Sequence, residues 1–245
     1  MKINFRIYLF CLLIVSLIVI SLVTGQSNNL TKRQKTPANK MAAKSFSNIF
    51  IDPKAKVHPS VIMEGSIKVG PYTEIGPGTI LTGNINIGHH TLLKCNVTIR
   101  GKVTIGNYTN IYDNVNIEGG RPANRGTVTN TKADQAIIGD YCWINHGSVM
   151  HGTQMEDGSA VGLSVACDYN TRVGRGAVLA NGSATAVEQV IPANSFAQGV
   201  PAVIKKTDLT DEDRRQIFGL LPTGWIEYEA PKREANIKKS LGIKN

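Results

Sequence analysis

The chain of 245 residues is poor in three things. Aromatics make up 6%, charged residues 18%, and cysteine occurs four times. Four cysteines spread over this length exclude a disulfide scaffold and leave no zinc-finger framework. Acidic residues are missing from the N-terminal stretch: no Asp or Glu precedes Asp52, whereas seven Lys or Arg do. The net charge of +9 is therefore unevenly placed. The basic residues have no interleaved aromatics and form no reader motif, which excludes a nucleic-acid partner. An apolar fraction of 42% excludes wholesale disorder.

The start of the chain reads as a targeting segment. Lys2 and Arg6 precede a continuous apolar run from Tyr8 to Val23, a charged region followed by an apolar one. Val23, Thr24 and Gly25 suit cleavage before Gln26. The expectation is an exported protein, with residues 1–25 a cleaved signal peptide or a retained membrane anchor. Residues 26–47 are polar and basic without apolar periodicity, a linker. Its lysines and Arg33 are either a solvated tail or a contact with anionic lipid.

From Ile51 the chain repeats every six residues. The leading positions are Ile51, Val57, Met63, Val69, Ile75, Leu81, Ile87, Leu93, Ile99, Ile105, Ile111 and Ile117. The fifth position is small or β-branched, as at Ala55, Val61, Thr73, Thr91 and Val115. A second block resumes at Ile138 and Ile144, shortens by one residue between Met150 and Met155, and runs on to Ile191. Six residues match neither a helix nor a hairpin alternation. They match a short strand plus a turn, with positions one and five inward and glycine serving the turns. Three such units close one coil, and stacked coils make a parallel β-helix, an all-β solenoid of about seven coils over residues 48–204. Residues 119–136 break the period and read as a protruding loop. Residues 205–245 read as a C-terminal helical segment. One helix is expected from an N-cap at Thr210 to about Leu220, and a second over residues 225–241.

With an 18-residue coil, Arg100 and Glu118 stack on one face. If the loop leaves and re-enters on the same face, His151 stacks next to Glu118, so Arg100, Glu118 and His151 form a column. His146 lies five residues earlier, around the corner. His89 and His90 read as exposed turn residues, His58 as structural, and Cys142 and Cys167 as buried thiols.

Three segments resemble the gamma-class carbonic anhydrases. They are Ile99-Arg100-Gly101 with Thr109-Asn110-Ile111-Tyr112-Asp113; Asn145-His146-Gly147-Ser148-Val149-Met150-His151-Gly152; and Gly199-Val200-Pro201-Ala202. The resemblance spans residues 50 to 230 and implies a left-handed β-helix. It also implies a homotrimer that hydrates carbon dioxide reversibly at an interfacial metal. In that family three histidines bind zinc, two from one subunit and one from its neighbour. His151 matches one of the pair and His146 the one lent across the interface. Arg100 and Asp113 match residues beside the site. Glu118 stands where the family has its first histidine, Tyr112 where it has Gln, and Lys102 near a missing acid. The resemblance thus implies Glu118, His151 and a neighbour's His146 as ligands of Zn2+ (or Fe2+ or Co2+), with Arg100, Asp113 and Tyr112 catalytic and carbon dioxide or bicarbonate as substrate. Two other readings stand beside it. One is an inactive trimeric homologue, in which Glu118 pairs with Arg100 and the histidines meet without metal. The other is a hexapeptide acyltransferase with His146 or His151 as general base.

Overall fold

The computed structural model describes residues 48–120, 135–221 and 230–241. The targeting segment, the linker, most of the loop expected at 119–136 and residues 222–229 lie outside the described residues.

The chain winds into a parallel β-helix of about eight turns, the solenoid expected from the six-residue repeat. The longest stack of the first sheet runs through eight strands, from Asn48–Ile51 through Ile62–Val69, Ile80–Ile87 and Thr98–Ile105 up to Val190–Ile191. This is one turn more than expected, because Asn48–Ile51 already pairs with Ser66–Val69 before the repeat is recognisable. The second sheet is a stack of mostly two-residue strands from Lys56–Val57 to Phe196–Gly199, closed by the antiparallel strand Ala202–Lys206.

The leading hexad positions from Val69 onward fill the interior. Val69, Leu81, Leu93, Ile99, Ile111 and Ile144 are wholly buried. Each such aliphatic side chain contributes about 1.5–3 kcal/mol by leaving water. Position five tolerates threonine because its buried hydroxyl is satisfied from the neighbouring coil. Thr73 Oγ1 donates to the Gly88 carbonyl and Thr91 Oγ1 to that of Gly106, both at 2.7 Å. Cys142 and Cys167 are buried free thiols, and burial pushes both pKa values up to about 12.

Glycine serves the turns as expected at Gly78, Gly147, Gly158, Gly176 and Gly182, with φ between 63° and 72°, but shares that position with other residues. Elsewhere the left-handed turn positions are held by Tyr72, His90, Asn96, Tyr108 and Asn114, among others. The glycine after the leader is required by close approach between coils: a Cβ on Gly88 would lie 2.7 Å from the Gly106 carbonyl. In the first coils one corner has no turn. The strands Ile62–Val69, Ile80–Ile87 and Thr98–Ile105 run through it as eight continuous residues, bending at Gly65, Gly83 and Gly101 with φ of 107°, 125° and 83°.

Beyond the solenoid, helix α1 covers Asp211–Gln216 and helix α2 covers Ala230–Leu241. α1 starts at Thr210 in a capping box with Asp213. It ends earlier than expected, because Ile217 is extended and Phe218 enters the left-handed region. Leu209 and Leu220 pack against Ala160 and Val178 of the solenoid.

Candidate metal and active site

The strand Asn116–Gly119 carries Glu118 at the rim of the loop, and the strand Val149–His151 ends at His151. Glu118 is in register with Arg100 on one side and with His151 on the other. The chain leaves for the loop after this strand and re-enters at Ala136–Ile138, paired with Val103–Ile105. The register therefore passes through the insertion unslipped. Glu118 Oε2 and His151 Nε2 stand 4.0 Å apart, both partly exposed. Two ligands on one tetrahedral zinc lie about 3.4 Å apart, given metal–ligand distances of about 2.0–2.2 Å. The pair therefore fits as two donors to one ion after a small side-chain adjustment. His151 is held from behind by the buried ring of Tyr169, stacked at 4.9 Å and 27°. Beside it lies a concavity of about 290 Å³ whose lining includes His151, Cys167, Asp168 and Thr185.

His146 occupies the turn between Trp143–Ile144 and Val149–His151. Its Nδ1 lies 3.1 Å from Asp113 Oδ2, with side-chain exposures of 46% and 34%. When Nδ1 carries the proton toward that carboxylate, Nε2 presents a lone pair to a metal or a proton donor. Asp113 is itself anchored: its Oδ1 accepts the Cys95 backbone N–H at 2.8 Å. That bond, helped by His146 and opposed by partial burial, holds the Asp113 carboxyl below its usual range. Cys95 is half-buried beside it, and burial together with Asp113 raises its pKa. Tyr112 stacks on Trp143 at 5.3 Å and leans on His146 at 4.9 Å. Partial burial raises the Tyr112 phenol above its ordinary value.

The six expected residues thus fall into two groups. Arg100, Glu118 and His151 form one column; Tyr112, Asp113 and His146 form a second cluster at the adjoining corner. Among the described residues of one chain, no three His, Cys, Asp or Glu side chains come together to hold a metal ion. Sequence reasoning did not single out Trp143, Asp168 or Tyr169. The coil there is one residue short, so Val149 and Met150 pair with Ala166 and Cys167, and Tyr169 lies one residue beyond the position that register assigns to His151.

His89 and His90 correct the sequence expectation. His89 is 5% exposed rather than a free turn residue, because α2 covers it and Glu234 accepts from its Nε2. His58 is exposed and bonded to Ser60.

No family model matches the chain. A "Probable carbonic anhydrase" of Methanocaldococcus jannaschii is 32% identical over 87 residues, covering 36% of this chain. The chain spans about half, 54%, of that relative's length. Among solved structures, a putative acetyltransferase of Bacillus cereus is 23% identical with a TM-score of 0.48, covering 66% of this chain and 82% of that one. A hexapeptide transferase family protein of Anaplasma phagocytophilum is 19% identical with a TM-score of 0.46, covering 67% and 81%. Over those 87 residues the chain is similar to a probable carbonic anhydrase, and its fold is a hexapeptide-repeat β-helix.

Proposed function

We propose that this gamma-carbonic-anhydrase-like chain acts outside the cytoplasm as a homotrimer that reversibly hydrates carbon dioxide at a divalent metal shared between subunits. The observation that carries the reading is the half-site. Glu118 and His151 face each other at 4.0 Å, while His146 turns around the corner onto Asp113. One chain offers two donors in one place and the third in another, so a second copy completes the set.

Zinc, or Fe2+ or Co2+, would supply the Lewis acidity that makes water nucleophilic at neutral pH. Two histidines and a glutamate are a known catalytic zinc set with an open fourth position. Glu118 and His151 would hold the ion from one subunit and His146 from the next. Asp113 fixes the His146 tautomer through Nδ1. Arg100, one coil from Glu118, offers a permanent cation to bicarbonate. Tyr112 stands against His146 and limits water on that side.

The test is elemental analysis of the purified protein, with sedimentation and a carbon dioxide hydration assay on the same sample. The expected result is a trimer with about one divalent ion per chain and measurable hydration. A stable monomer with full metal content would overturn the shared site.

The Asp113–His146 pair also supports a second reading. A histidine oriented by a carboxylate is the arrangement of a general base, which suits acyl transfer. A metal-free preparation without hydration activity but with coenzyme A-dependent acyl transfer, abolished in His146→Ala, would favour that reading.

A further inference from the structure

Away from the candidate site, a second cluster of titratable groups sits where α2 crosses a corner of the solenoid. Four left-handed turn residues of successive coils stack there: Tyr72, His90, Tyr108 and Tyr141, with φ between 52° and 58°. Their rings lie 4.8 Å, 5.0 Å and 5.0 Å apart in turn. An aromatic residue in the left-handed region costs about 1–2 kcal/mol, and four in a row are tolerated because each ring packs on the next. His89 lies beside this ladder, edge-on to His90 and to Tyr108.

α2 is fastened here by a short chain of polar contacts. His89 Nε2 is 2.6 Å from Glu234 Oε1, and His89 Nδ1 is 2.9 Å from His90 Nδ1. Asn107 Nδ2 donates to the same Glu234 oxygen at 3.5 Å, and Lys238 Nζ lies 3.4 Å from it. Arg233 sits over the Tyr108 ring at 5.9 Å. Asp140 approaches from the solenoid side, its Oδ1 accepting the Asn107 N–H, and Lys54 lies over Tyr72.

Proton bookkeeping sets what this arrangement can hold. A carboxylate only accepts, so His89 Nε2 carries a hydrogen. Two Nδ1 atoms at 2.9 Å need one hydrogen and one lone pair between them. Either both rings are neutral and His90 donates, or one ring is charged: His89 with His90 accepting, or His90 with His89 accepting. If both rings are charged, two N–H groups point at each other, and Arg233 and Lys238 add to the repulsion.

We infer that α2 is held on the solenoid by a proton-sensitive clasp, His90–His89–Glu234, which admits at most one charged imidazole and releases the helix when the second is protonated. Burial first, then His89 and Arg233, lowers the His90 pKa, with Glu234 opposing. A histidine depressed in the docked state stabilises docking at high pH. That stabilisation is lost as pH falls below the ordinary imidazole value of about 6.5.

The test is hydrogen–deuterium exchange of residues 231–241 in the full chain at pH 7.5 and pH 5.0, corrected for intrinsic exchange. One excluded proton costs up to about tenfold in docking per pH unit, so protection should fall by about tenfold or more. His90→Asn keeps a residue that tolerates the left-handed region but cannot charge. In that variant the protection should be the same at both pH values. Glu234→Gln should lower protection at pH 7.5 already, with the solenoid's exchange unchanged. Equal wild-type protection at the two pH values would overturn the clasp, as would an undiminished pH effect in His90→Asn.

Discussion

Gly101→Ala tests whether the glycine bend is what delivers the candidate site. Gly65, Gly83, Gly101 and Gly119 stand in register at one corner. Gly101 directly follows Arg100, and its neighbour Gly119 directly follows Glu118. A Cβ on Gly101 would sit 1.6 Å from the Gly119 carbonyl oxygen, at φ +83°. The left-handed conformation alone costs about 1–2 kcal/mol for alanine. The contact is backbone against backbone, so no side chain can swing away. Relief requires more than an ångström of movement by the strand that carries Glu118, and overpacking of that kind costs about 1–3 kcal/mol or more. The sum is about 2–5 kcal/mol. Gly120→Ala is the internal control: it too has positive φ, at +125°, but among the described residues a Cβ there meets nothing within 4 Å. Chemical unfolding should therefore show Gly101→Ala losing about 2 kcal/mol or more beyond Gly120→Ala. Productive sites tolerate only about 0.5 Å of misplacement, so metal retention should fall in Gly101→Ala and survive in Gly120→Ala. Equal stability in the two variants would refute the reasoning, since strain would then account for both.

Other substitutions probe the remaining parts. Glu118→His replaces an anionic ligand by a neutral one, leaves more positive charge on the ion, and should raise hydration activity; unchanged activity in a metal-loaded variant would count against ligation by Glu118. Arg214 is 1% exposed and donates to the carbonyls of Leu221, Gly158 and Gly176. Arg214→Ala leaves buried acceptors bare and should cost about 3–5 kcal/mol, read by thermal unfolding. The Asp213 carboxyl, held down to about 2 by bonds from Lys206 and then Thr210, is depressed below its ordinary 3.8. Its contribution to α1 is present above that ordinary value and lost as pH falls toward 2. Amide protection over residues 211–217 should decline between pH 4 and 2, and Asp213→Asn should abolish the decline.

What the sequence determined by itself is the winding. A six-residue period admits one architecture, and strict register follows because a slip would turn every Ile and Val of the core outward. The Arg100–Glu118–His151 register was legible for the same reason: coil length converts sequence separation into stacking. The threonines at position five belong to this class, although their partners, turn carbonyls of the next coil, appear only in three dimensions. The tertiary structure decided everything that depends on a group outside the repeat. His89 and Glu234 are 145 residues apart, no period relates them, and a histidine in a turn is buried only because a distant helix lies over it. Asp113 and His146 are separated by the same 33 residues as Glu118 and His151, so their stacking was equally legible; that His146 Nδ1 turns onto the Asp113 carboxylate depends on side-chain direction and was not. Glycine shows the division within one residue type. Its recurrence every 18 residues at Gly65, Gly83 and Gly101 was plain to read. That it bends a continuous strand around a corner, instead of serving a turn, depends on how closely one coil's carbonyl approaches the next.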